Sequence, residues 1–224
     1  MSVIRFRTTP KGDLPHYSYT FRKTEPLGTA MKNFACSRLG TTIYLEIKKG
    51  EEAMNTSYFQ KYLGGTVACM KRPTMDTKGC SQIKSNDIYF VDIWFSGVKS
   101  AKEVMAAGVS YCGLVKTSHK GFCLVTLEEL MKYWPGGSYL VMKSTPKAPS
   151  GIPLMAIGYK YNSRNVLGFI AAEGGVSTEP GDPYLSHFPD INSNVSARPV
   201  LRPHLLYRYF NACNTIQSKY DAAV

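Results

Sequence analysis

The side chains with the clearest chemical potential lie around position 92. Asp92 directly follows Ile88-Tyr89-Phe90-Val91, a short apolar run rich in β-branched and aromatic residues that reads as a buried strand. A carboxylate leaving such a strand either caps a turn or serves a metal or a proton transfer. Asp87 is a poorer candidate, because it begins the strand and should face solvent. Trp94 and Phe95 come next; adjacent aromatics after a buried strand are usually core, although either ring could stack on a base. Lys116, His119 and Lys120 lie beyond the next apolar run, on the side where the Asp92 strand also ends. They either contact phosphates or form a solvated loop.

Other chemistry is sparse. The six cysteines, Cys36, Cys69, Cys80, Cys112, Cys123 and Cys213, form no C-x-x-C pair, and no His stands at zinc-finger spacing from them. With no signal-like apolar stretch after Met1, they read as reduced, mostly buried thiols of a cytosolic or nuclear protein. His16, His119, His187 and His204 are scattered. There is no G-x-S-x-G, phosphate-binding loop, G-x-G-x-x-G or H-E-x-x-H, which argues against a hydrolase or small-molecule enzyme.

The chain has 224 residues, 44% hydrophobic and 12% aromatic, enough apolar material for a core and too much for wholesale disorder. No apolar run reaches the roughly 18 residues of a membrane span. Lys and Arg total 27 against 16 Asp and Glu, a net charge of +11. The basic residues are spread along the chain, so a polyanion such as nucleic acid would meet a folded surface and not a basic arm.

The elements that must position these groups follow from periodicity. Residues 8–27 are polar, carry Pro10, Pro15 and Pro26, and read as loop or irregular edge structure. Thr29–Ala35 and Thr42–Ile47 read as an antiparallel hairpin, with Ile43, Leu45 and Ile47 on one face and Tyr44 and Glu46 on the other. Residues 51–75 are weakly helical with a break at Gly64-Gly65. After Asp92, Val98, Ala101, Val104 and Met105 follow helical spacing, and Gly108 stands where a helix ends in the left-handed region. Val109–Lys116 is a second β-rich run, completing a βαβ unit with parallel strands. Thr126-Leu127-Glu128-Glu129 fits a capping box before Leu130, Met131 and Tyr133, and Pro135-Gly136-Gly137 stops that helix. Tyr139–Lys143, Pro153–Tyr161 and Val166–Ala172 read as strands, the last two joined by the loop 162–165. Residues 174–203 hold five prolines and read as a long ordered loop. From His204 the pattern is helical, with Leu205, Leu206, Tyr209, Phe210, Cys213 and Ile216 on one face. The class is α/β with a mixed sheet.

Six segments, taken in order, resemble the PiggyBac-like transposase catalytic domain over nearly the whole chain: Met1-Ser2, Arg7-Thr8-Thr9, Pro26-Leu27-Gly28-Thr29, Asp92-Ile93-Trp94-Phe95-Ser96-Gly97, Val115-Lys116-Thr117-Ser118-His119-Lys120-Gly121 and Ile157-Gly158-Tyr159-Lys160-Tyr161-Asn162. The resemblance implies a ribonuclease H-like mixed sheet with a β-rich insertion, incomplete at its first strand. It implies a first core segment over 1–122, the insertion and Pro-rich loop over 123–197, and a late helix over 198–224 that returns to the core.

Transposases of this kind cut and rejoin DNA with three carboxylates around two Mg²⁺ ions about 3.5–4 Å apart, which activate the attacking oxygen and stabilise the leaving one. Asp92 matches the second carboxylate. The first would fall before Met1-Ser2-Val3, with Asp13 a poor substitute in a loop-like stretch, and Gln217 takes the third position, with Asp221 one turn further on. The family's cysteine-rich zinc module has no counterpart before Val224, so the chain is expected to be truncated at both ends. One carboxylate leaves two Mg²⁺ ions poorly neutralised, so Mg²⁺ binding is doubtful and negligible strand cleavage is expected. The reading is a nuclear transposase remnant on double-stranded DNA; the alternative is a domesticated DNA-binding or interaction module. A homodimer stays open, and no membrane is expected.

Overall fold

The computed structural model describes residues 3–6, 17–19, 27–49, 51–75, 83, 87–144, 151–162, 164–172, 183–189, 195–200 and 202–221. The chain forms two compact units, Met1–Ile83 with Ala212–Val224, and Lys84–Asn211.

In the first unit, β3 (Leu27–Ala35) is the organising strand. It pairs antiparallel with β1 (Val3–Phe6), β2 (Tyr17–Tyr19) and β4 (Thr42–Ile47). The β3–β4 hairpin is as the alternation predicts, and β2 supplies a short edge strand within the polar stretch 8–27. The hairpin's faces are used in an unexpected way. Leu45 and Ile47 are 45% and 43% exposed, whereas the Glu46 side chain is only 10% exposed. Glu46 accepts from Lys32 Nζ at 2.9 Å and from Arg72 Nε at 2.7 Å. Lys32 Nζ also donates to the Gly65 carbonyl at 3.4 Å. This face therefore carries the helical segment: α1 (Glu51–Asn55), α2 (Gln60–Leu63), α3 (Gly65–Lys71) and a 3₁₀ turn over Arg72–Thr74. The break falls at Gly64, whose φ of 79° suits a residue without a Cβ.

The second unit holds β5 (Ile88–Val91), α4 (Val98–Met105), β6 (Ser110–Val115), α5 (Leu124–Leu130), β7 (Tyr139–Lys143), β8 (Leu154–Lys160), β9 (Val166–Ala172), β10 (Tyr184–Pro189) and β11 (Val195–Val200). Helix α6 (His204–Asp221) begins in this unit and ends in the first. Five strands form one mixed sheet in the order β5-β6-β9-β8-β7. β5 and β6 are parallel, as a βαβ unit requires; the other pairings are antiparallel. Helices cover both faces. α6 brings Tyr209 against Phe169 at 5.1 Å between ring centroids, and the Tyr209 hydroxyl donates to the Val91 carbonyl at 3.4 Å. On the other face, Gly158 and Gly168 stand opposite each other in the β8–β9 register. A Cβ at Gly158 would press on Met131 Sδ and Leu127, and one at Gly168 on Phe122 and Leu124. The glycine pair lets α5 lie directly on the sheet.

Three expectations need correction. The four N-terminal strands and the βαβ unit do not share a sheet: β6 gives its second edge to β9, whose short hairpin to β8 makes local pairing easy. The compact units separate after residues 83 and 211. Helix α5 starts at Leu124, with Cys123 as an N-cap that makes no side-chain hydrogen bond. Thr126 lies inside the helix, because packing of Leu124 and Leu127 into the core sets the start. Finally, the stretch 174–203 contains the β10–β11 ribbon, with six paired positions. Prolines hide its strand character in sequence, yet a two-stranded ribbon has free edges that accept them. Among the described residues no helix is long and apolar enough to cross a membrane.

Candidate nucleic-acid interface at the parallel strand ends

β5 and β6 end side by side, and the chain leaves each through a tight turn. The Asp92 carbonyl accepts from the Phe95 and Ser96 amides at 3.0 Å each, and Asp92 Oδ1 accepts from the Ile93 amide at 2.7 Å. This double anchoring fixes the 92–96 turn and separates the two aromatics. Phe95 goes into the core at 5% exposure, while Trp94 projects at 68%. The parallel register pairs Val91 with Gly113. Trp94 and Lys116 each stand three residues beyond that pair, and Lys116 Nζ lies 3.4 Å from the centre of the Trp94 ring, a cation–π contact.

A buried polar layer supports the turn. Tyr111, on β6, is buried beside Ser96 and the Gly97 backbone; burial pushes its hydroxyl far above the ordinary range, with those two groups opposing, and neither the Tyr111 hydroxyl nor Ser96 Oγ makes a hydrogen bond among the described residues. A Cβ at Gly113 would overlap Ser96, and one at Gly97 would overlap His119 Nε2. Two missing side chains thus admit Ser96 and His119 beneath the turn. The His119 amide donates to the Lys116 carbonyl at 3.0 Å, closing the loop after β6. His119 Nδ1 is buried with no hydrogen-bond partner among the described residues.

The remaining candidates are dispersed. Lys120 is exposed. Asp87 is exposed at the start of β5, where its carbonyl accepts from the Ser110 amide. Asp13 lies outside the described residues. Gln217 and Asp221 belong to the last turns of α6, in the unit that contains β1–β4, and their side chains also lie outside the described set. Among the described residues no group of three His, Cys, Asp or Glu side chains converges. The described cysteines form no disulfide with one another; Cys69 and Cys112 are buried, and Cys36, Cys123 and Cys213 are half-buried. Burial pushes the Cys69 thiol up to about 12, with Lys32 opposing.

Sequence reasoning missed the division of labour between Trp94 and Phe95 and the role of Gly97. The available signal was the βαβ unit itself, since parallel pairing fixes which residues past the two strand ends become neighbours.

No protein-family model and no curated protein matches the sequence. Among solved structures, the fold is similar to that of a piggyBac transposase in a cryo-EM synaptic complex with hairpin DNA. The likeness covers 93% of this chain with a TM-score of 0.57 and 13% identity, and this chain spans 36% of the transposase chain.

Proposed function

We propose that this chain derives from a piggyBac-like transposase, keeps a ribonuclease H-like arrangement around β5, and binds double-stranded DNA in the nucleus without cutting it. The observation that carries this reading is the fold likeness over 93% of the chain. It is supported by Asp92, which leaves a buried strand ahead of α4, the place a second catalytic carboxylate would occupy. In such an enzyme, bound Mg²⁺ would supply charge stabilisation at the reacting phosphate. Here Asp92 would offer one carboxylate, and Gln217, at the third position, would bring no charge. A single carboxylate cannot neutralise two divalent ions, so strand cleavage is lost. What persists is basic charge: +11 overall, with Lys116 and Lys120 beside the parallel strand ends.

Two measurements test this. In Mn²⁺, supercoiled plasmid should stay intact with the parent chain and with Asp92→Ala; nicking by the parent that Asp92→Ala abolishes would establish an assembled metal site. DNA affinity should fall steeply with salt, by about tenfold or more between 50 and 200 mM if several phosphates are contacted. An affinity indifferent to salt would remove the phosphate-contact mode.

A further inference from the structure

We propose that Trp94 and Lys116 form a seat for one unpaired nucleobase, with the base stacked on the indole and its phosphate held by the lysine. This deepens the nucleic-acid reading above and rests on it. The sequence offers two adjacent aromatics, and the turn assigns them opposite fates. Phe95 fills the core, and Trp94 is left 68% exposed on a backbone anchored by three hydrogen bonds to Asp92. A large aromatic ring held rigidly in solvent forfeits burial and is ordered in advance, so stacking a planar ligand costs little side-chain entropy.

Lys116 identifies the ligand class. Its ammonium is centred 3.4 Å over one face of the indole, so a base would stack on the opposite face with a positive charge across the ring from it. A nucleotide has the matching pair, a flat base and an anionic phosphate about one sugar away. Lys120, exposed on the same loop, can take the adjacent phosphate. In intact duplex each base face is occupied by its neighbours, so the seat accepts only a base from a single strand, a hairpin tip or an extruded position.

The test uses the full chain carrying Trp134→Phe. The chain has two Trp, so this change leaves Trp94 as the only indole fluorophore. The probes are a thymine single strand, a hairpin with an unpaired thymine loop, and a blunt duplex, with affinity read by anisotropy. Single strand and hairpin should quench Trp94, and the duplex should not. Trp94→Ala should weaken single-strand binding about tenfold, the effect expected for one stacked base, with duplex affinity unchanged and Trp94→Phe partly restoring it. Equal quenching by duplex, or single-strand affinity unaffected by Trp94→Ala, overturns the seat. If duplex is still bound in a salt-dependent way, only the seat falls. If none of the three probes binds, the nucleic-acid reading fails and the seat falls with it.

Discussion

Gly97 shows how closely the candidate interface is packed at the level of single atoms. A methyl group there would occupy the space of His119 Nε2. Gly97→Ala should therefore destabilise the fold by about 1–3 kcal/mol, the usual cost of overpacking. Adding His119→Ala should recover most of that loss, and denaturant unfolding of the two single variants and the double variant measures the coupling. Glu46 presents the opposite case, a carboxylate shared by two cations. Glu46→Ala would leave Lys32 and Arg72 partly buried without their counter-charge and should cost about 3 kcal/mol. Replacement of Lys32 by Met should cost less, because Arg72 still satisfies the carboxylate. The sequence made Asp92 visible because its strand, turn and helix are consecutive. It could not reveal the burial of Glu46. Alternation separates the faces of β4 but does not say which is covered, and Arg72, the partner that decides, is 26 positions away.

Among elements, the β8–β9 hairpin and α5 depend on one another through the Gly158–Gly168 pair. Ala at either position would lift the helix from the sheet; the expected signature is a lower Tm and new exposure of Leu127 and Met131, detected as increased binding of an apolar dye. The strands here were readable because their runs are dense and their loop is short: Asn162 Oδ1 accepts from the Arg164 and Asn165 amides, a side-chain-closed turn. The start of α5 was not readable, since a capping-box pattern at Thr126 competes with core positions at Leu124 and Leu127 that only the folded sheet defines. The β10–β11 ribbon escaped for a related reason, as its partners identify each other across a stretch in which prolines interrupt any alternation.

For the whole molecule, three buried or half-buried acids titrate in the same direction. Burial is the first cause of the rise for Cys69, Tyr44 and Tyr111, and neighbouring Glu46 adds to it at Cys69 and Tyr44. The folded state holds these protons more firmly than the unfolded chain does. Their contribution is complete below the ordinary thiol value of about 9 and declines as pH rises toward about 12 at Cys69. Stability should accordingly fall on the alkaline side, and Cys69→Ala should flatten the first part of that fall in unfolding curves taken between pH 8 and 11. The mixed α/β character was legible at this scale, while the separation of β1–β4 from the five-stranded sheet was not, because the partner of a strand's second edge is chosen by tertiary competition and leaves no local mark.

The position of β5 has a consequence for the order in which the molecule comes together and apart. β5 ends its sheet, holds one neighbour, and reaches it only through the α4 crossover, whereas β8 and β9 are joined by a short loop at the sheet's centre. Local hairpins close before crossovers, so β5 should dock late in folding and open early in native fluctuations. The amide of Phe90 should exchange with solvent faster than that of Phe169. The turn bearing Asp92 and Trp94 keeps its own hydrogen bonds but follows an edge strand, and a bound polyanion would slow exchange along β5.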